Sequence, residues 1–145
     1  MIQTKSLQID FSDNKEVHEE FILHDKIIKD RGSVYSVSLG RVECRDDIKV
    51  FLQKIRNYNK KYQKATHHSY AARVSKDGVV YETKGDDGET GAGNVILRIV
   101  QKKKFTNTIV CVTRWFGGTK LQGDRYKHVQ DATIYALEEY IEQNR

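Results

Sequence analysis

Between Thr108 and Thr113 the chain reads Thr-Ile-Val-Cys-Val-Thr, and Ile109 to Val112 form a short apolar run with no polar interruption. Such a run predicts a central strand covered on both faces, so other elements of the chain must supply two sides of packing. The strand lies inside the stretch from Asp86 to His128, where the local chemistry is least like that of generic loops. Upstream, the acidic turn Asp86-Asp87-Gly88-Glu89-Thr90-Gly91-Ala92-Gly93 leads into a helix; downstream, the strand ends in Arg114-Trp115-Phe116-Gly117-Gly118-Thr119-Lys120. Glycines beside charged residues at the mouths of regular elements mark places where the backbone takes positive φ or lets another group approach closely. Function is expected at these two turns.

The remaining pattern supplies the layers. Residues 1–15 are polar without a sustained period and read as a frayed arm with one short strand around Leu7 to Phe11. From Glu20 to Glu43 the apolar spacing is strand-like, and Asp30-Arg31-Gly32-Ser33 predicts a hairpin turn. Asp46 or Asp47 is expected to cap a basic amphipathic helix with the stripe Ile48, Phe51, Leu52, Ile55, Tyr58 and Tyr62. A second hairpin follows, from Ser69 to Thr83 through Lys76-Asp77-Gly78. Thr90 is the expected cap of the next helix, which Lys102-Lys103-Lys104 closes at the end where cations favour the dipole. A last helix begins near Asp124, with Val129, Ala132, Thr133, Ala136, Leu137, Tyr140 and Ile141 in helical spacing. This order predicts an α+β fold, a two-layer sandwich of a mixed β-sheet with helices on one face.

Composition narrows the function classes. The 145 residues suffice for one domain with a core that needs neither metal nor disulfide. No apolar run approaches membrane-spanning length and the amino terminus lacks a secretory pattern, so a cytoplasmic protein without a membrane partner is expected. The two cysteines, Cys44 and Cys111, are too few and too far apart in sequence for a disulfide framework or zinc cage, and Cys111 reads as a buried thiol within the apolar strand. A formal net charge of +5 favours anionic partners.

Three groups of residues could converge where strand ends meet helix starts: His67 and His68; Asp86, Asp87 and Glu89; and Arg114, Lys120, Arg125, Lys127 and His128. Histidines with carboxylates can hold a divalent ion and activate water. Adjacent histidines on a strand point to opposite faces, however, and no His-Glu-x-x-His spacing is present, so no catalytic residues, metal or cofactor are expected. A second reading makes the basic group an anion clamp, with Gly117 and Gly118 exposing backbone amides. A third pairs the acidic turn with Arg114 and Arg125 to hold the turns in shape. The last two readings remain open at this level. Of Trp115 and Phe116, strand alternation turns one to the core and leaves the other as an exposed anchor for a partner.

Taken together, Ala65-Thr66-His67-His68-Ser69-Tyr70-Ala71-Ala72-Arg73, Asp86-Asp87-Gly88-Glu89-Thr90, Thr113-Arg114-Trp115-Phe116-Gly117-Gly118 and Asp124-Arg125-Tyr126-Lys127-His128 resemble the Impact family, the eukaryotic branch of a domain shared with small bacterial proteins. The resemblance covers roughly Asp30 to Tyr140, and it divides the chain into an amino-terminal arm with the first strand (1–29) and an Impact-type domain (30–145). It implies a fold similar to the second domain of ribosomal protein S-five. It further implies a regulatory module of translation rather than an enzyme: a repressor in the amino-acid-starvation stress response. Such a module binds the ribosome-associated activator of the kinase that phosphorylates the alpha subunit of initiation factor two, with ribosomes and monomeric actin as further partners. About thirty residues precede the matched stretch, fewer than the additional amino-terminal domain of animal and fungal members would need. The alternative is an RNA- or ribosome-binding domain that uses the basic, glycine-rich cleft.

Overall fold

Strand β7 (Thr108–Trp115) occupies the middle of a five-stranded antiparallel sheet and organises the rest of the molecule. The computed structural model describes residues 14–145; the short strand expected around Leu7 to Phe11 lies outside them. Within the described residues the order is β1 (Lys15–Glu16), β2 (Ile22–Asp30), β3 (Ser33–Arg41), α1 (Arg45–Arg56), α2 (Lys60–Gln63), β4 (His67–Lys76), β5 (Val79–Gly85), α3 (Ala92–Lys102), β6 (Phe105–Thr106), β7 and α4 (Asp124–Gln143). The sheet runs β2-β3-β7-β4-β5, while β1 and β6 form a separate parallel pair.

Tight turns set the register of both outer hairpins. Arg31 and Gly32 take φ of 47° and 89°, and Asp77 and Gly78 take 53° and 78°. Two successive positive φ values give a turn whose twist matches that of the flanking strands. Two residues join β2 to β3, so Val34 pairs with Lys29 and Tyr35 with Ile28 before a bulge around Lys26 shifts the register.

Both faces of β7 are buried. Val110 and Val112 point to one side, where α3 and α4 contribute Ile96, Val100, Val129, Ala136 and Leu137. Ile109 and Cys111 point to the other, against Ile48, Phe51 and Ile55 of α1 and Tyr62 of α2. The α+β class is as the residue pattern implies, and helices α3 and α4 share one face. Helix α1 closes the opposite face, because a strand apolar on both sides needs cover on both. Burial pushes the Cys111 thiol up to about 12, which makes it an inert part of this core.

Three local expectations are corrected. Helix α1 starts at Arg45 with Cys44 at the N-cap, so neither Asp46 nor Asp47 caps it; Asp47 instead accepts the Glu43 amide at 2.8 Å from within the first turn. The apolar stripe does not continue through one helix: the chain breaks at Asn57, Tyr58 is exposed, and Asn59 caps the short α2 by accepting the Tyr62 amide at 3.0 Å. Thr90 does not cap α3. Gly91 takes that position at φ 90°, and the Asp86 carboxylate reaches forward to accept the amides of Gly91 at 2.9 Å and Gly93 at 2.8 Å.

Candidate functional site

Strand register fixes which side chains meet at the end of the sheet. Arg114, near the end of β7, lies opposite Tyr35 of β3 and His67 of β4. Directly paired residues share a face, so Arg114 and His67 stand on the α3/α4 side with Val112. His68 and Thr113 pair one step along and therefore face the other side. Adjacent histidines thus enter different environments, as strand alternation requires.

Arg114 and Glu89 form the floor of the site. One Arg114 nitrogen, Nη1, donates to both Glu89 oxygens at 2.9 and 3.0 Å, while Nη2 donates to Ser33 Oγ at 3.2 Å. The two side chains are 5% and 3% exposed, so each charge depends on the other for solvation. The Arg114 guanidinium also lies over the Tyr35 ring, 5.4 Å from its centroid, and burial raises the Tyr35 hydroxyl to about 12.

The acidic turn is built by its own carboxylates. Asp86 holds the start of α3, and its pKa is lowered by the Gly91 amide, with the Gly93 amide and Lys84 adding to the effect against the cost of burial. Asp87, at φ 49°, accepts the His68 amide at 2.8 Å through its side chain. Its carbonyl lies 2.9 Å from His67 Nδ1. A carbonyl only accepts, so Nδ1 donates in this bond, and His67 Nε2 lies 3.9 Å from Glu89 Oε2.

His68 sits behind this wall. Its Nε2 lies 2.9 Å from the Tyr62 carbonyl and is therefore the donor, leaving Nδ1 to accept from the Thr113 hydroxyl at 2.9 Å. Burial lowers its pKa, so the ring is held neutral as a strut between β4, β7 and α2. Trp115 is on the same side: its ring meets Tyr62 edge-on at 4.8 Å and Nε1 donates to the Lys61 carbonyl at 2.9 Å.

Phe116 is the exposed member of the aromatic pair, at 46%, with the Arg114 guanidinium 5.7 Å from its ring centroid. Next to it, Gly117 packs against the β2–β3 turn so closely that a Cβ there would lie 2.0 Å from the Gly32 carbonyl carbon. Gly118, at φ 92°, faces open space.

These elements enclose a cleft of about 680 Å³ lined by Thr66, His67, Gly88, Glu89, Arg114, Phe116, Lys120, Leu121, Gln122, Gly123, Arg125 and Tyr126. Of the residues singled out from sequence, His67, Glu89, Arg114, Phe116, Lys120 and Arg125 come together here. Asp86, Asp87, His68, Trp115 and Gly117 support the walls from behind. Lys127 is exposed outside the cleft, and His128 turns to the β2–β3 hairpin, with Nε2 2.7 Å from Asp30 Oδ2. Thr66 and Tyr126 were legible only as members of longer motifs; Leu121, Gln122 and Gly123 carried no separate signal. Ser33 supports the floor from a distant turn that nothing local in the sequence connects to Arg114.

Among the described residues, no group of three or more His, Cys, Asp or Glu side chains could hold a metal ion, and no helix is long and apolar enough to cross a membrane.

Residues 31–137 match the family model of the Impact N-terminal domain. The chain belongs to the Impact family. Protein IMPACT of Bos taurus is 36% identical over 142 residues, covering 94% of this chain and 44% of the relative. The Homo sapiens protein of that name is also 36% identical, with 93% and 44% covered. This Impact-family chain therefore spans less than half the length of these curated relatives. Among solved structures, the two-domain translational regulator Yih1 is similar at 31% identity and a TM-score of 0.57, covering 88% of this chain and 50% of that one. The crystal structure of a hypothetical protein shares the fold, with a TM-score of 0.70 at 22% identity over 82% of this chain and 61% of the other.

Proposed function

We propose that this domain is a regulatory protein-interaction module of translation, without catalytic activity, that takes its partner at the Phe116 side of the cleft. The carrying observation is the Phe116 ring itself: 46% exposed, yet set on the buried Arg114–Glu89 pair and followed by a glycine with no room for a side chain. An exposed aromatic on a rigid base is the form that energetic anchors of protein interfaces take. A binding role over catalysis is supported by the use of the carboxylates, since Glu89 is neutralised by Arg114 and Asp86 and Asp87 accept backbone amides.

Family membership supports the choice of partner without identifying it. Yih1 is described as a two-domain translational regulator, and the family resemblance implies a cytoplasmic module that binds the ribosome-associated activator of the initiation-factor-two-alpha kinase and so restrains the starvation response. Ribosomes and monomeric actin belong in the same binding panel. Phe116→Ala should remove about 2 kcal/mol of binding to the activator, roughly thirtyfold in affinity, and overexpression in starved cells should lower alpha-subunit phosphorylation with the parent chain but not the variant. Equal capture of the activator by both chains would overturn the assignment of the anchor, and no capture by either would overturn the partner. A second reading, RNA or ribosome binding through the same cleft, is favoured by one observation: Lys120 and Arg125 line it without a carboxylate partner among the described residues.

A further inference from the structure

The cleft has a volume of about 680 Å³, and its charge is unbalanced. Glu89 is matched by Arg114, which leaves Lys120 and Arg125 facing the same space. The Arg125 guanidinium lies over the Tyr126 ring at 4.8 Å and donates to its hydroxyl at 2.8 Å, so it is held in place by a neutral group. Two guanidinium nitrogens, Nε of Arg114 and Nε of Arg125, are buried with no hydrogen-bond partner. Those two atoms are closed to solvent and so to a ligand; the groups open to one are the Lys120 ammonium and the rest of the Arg125 guanidinium, which favour a ligand that bears acceptors.

The other groups restrict that ligand. Phe116 offers an exposed ring at the mouth. His67 Nε2 is the ring nitrogen not engaged by the Asp87 carbonyl, which lies against Nδ1. The exposed side chain of Gln122 carries both a donor and an acceptor. A carboxylate side chain from an acidic peptide would satisfy the cations and leave the ring and these polar groups unused. We propose that the cleft binds a nucleotide unit, with its phosphate between Lys120 and Arg125 and its base stacked on Phe116. Cations tracking phosphate beside a sequence-tolerant aromatic platform are the recurring means of holding single-stranded nucleic acid, and one free nucleotide presents the same chemistry. A volume of about 680 Å³ lies in the range of pockets for such a molecule. The inference rests on the nucleic-acid reading of the cleft and uses the Phe116 ring that the protein partner would also use, so Lys120 and Arg125, which the protein-anchor reading does not invoke, separate the two.

The test is an amide-resolved NMR titration of the full chain with AMP, adenosine, inorganic phosphate and a single-stranded oligoribonucleotide. AMP should bind saturably, shift the amides of Phe116, Lys120, Gln122 and Arg125, and exceed both phosphate and adenosine by about tenfold in affinity. The Lys120→Gln/Arg125→Gln double variant should weaken AMP by about tenfold or more, and Phe116→Ala should reduce it to the level of phosphate. Saturation by AMP alone assigns the free nucleotide; occupation of the same amides by RNA without AMP binding assigns a nucleotide within a strand. Neither ligand shifting these amides would overturn the proposal, as would inorganic phosphate binding as tightly as AMP. RNA bound equally well by the double variant would overturn the cleft as the site while leaving RNA binding itself intact.

Discussion

Across the cleft, the acidic wall and the basic wall are both rich in charge, yet they use it in opposite ways. Asp86, Asp87 and Glu89 are each engaged inside the molecule: two on backbone amides, one on Arg114. Facing them, Lys120 and Arg125 have no carboxylate partner among the described residues, and Phe116 is left open. The acidic wall builds the cleft, and the basic wall is available to recognise something in it. If so, substitutions should cost stability on one side and binding on the other.

The sharpest break of this contrast is at the floor. Arg114→Leu leaves Glu89 charged and buried without its partner, and should cost about 3–5 kcal/mol in denaturant unfolding. Replacing Glu89 and Arg114 together with leucine should cost less than the single change, because no isolated charge remains. A single variant within 1 kcal/mol or so of the parent would show that the pair is not structural.

Next come the two glycines after Phe116, adjacent in sequence and opposite in surroundings. Gly117→Ala drives a Cβ to 2.0 Å from the Gly32 backbone, where no flexible side chain can yield, and should cost about 3 kcal/mol or more. Gly118→Ala meets only its own unfavourable φ of 92° and should cost about 1–2 kcal/mol. Thermal melting of the two variants side by side checks the order; equal losses would mean that close approach to the β2–β3 turn does not matter.

How far the residues announced this arrangement varied with range. The central apolar strand, both two-residue turns and the stripe of α4 could be read locally, because period and turn chemistry act over a few residues. The cap of α3 could not: the local rule favours Thr90, whereas Asp86 reaches the helix from five residues before Gly91. The pair β1–β6 is two residues long on each side and leaves no period to detect. At the site, the motifs gathered the right neighbourhood, but Arg114 meets Glu89 and Ser33 across 25 and 81 residues, which only sheet register determines. Lys127 follows Arg125 by two helical positions and so turns about 200° away from it, although the string of residues makes them look equivalent.

Asp86 connects the acidic wall to pH. Asp86→Ala removes the acceptor for the Gly91 and Gly93 amides and should cost about 1 kcal/mol at neutral pH. Its pKa is lower in the folded chain than in the unfolded one, so the unfolded state binds the proton more readily. The stabilisation is therefore fully present above the ordinary carboxylate pKa and is lost as the pH falls through the lowered folded value. Melting curves of parent and variant should converge on the acid side; a gap that persists there would assign the loss to packing instead of to the charged cap.

The smallest effect is expected where the contrast makes its strongest claim. Lys120→Gln and Arg125→Gln each remove a cation from the basic wall without leaving a carboxylate behind. Lys120 is exposed, and the bond lost at Arg125 is to a neutral hydroxyl that still donates to the Thr90 carbonyl at 2.7 Å. Lys120→Gln should therefore stay within about 0.5 kcal/mol of the parent in unfolding free energy, as substitutions at exposed positions ordinarily do, and Arg125→Gln, at a half-buried position, within about 1 kcal/mol. Polar glutamine keeps the length and hydration of the wall, so a change in ligand retention at constant melting temperature isolates recognition from folding. Destabilisation larger than that of Asp86→Ala would place Arg125 with the acidic wall, as part of what builds the cleft.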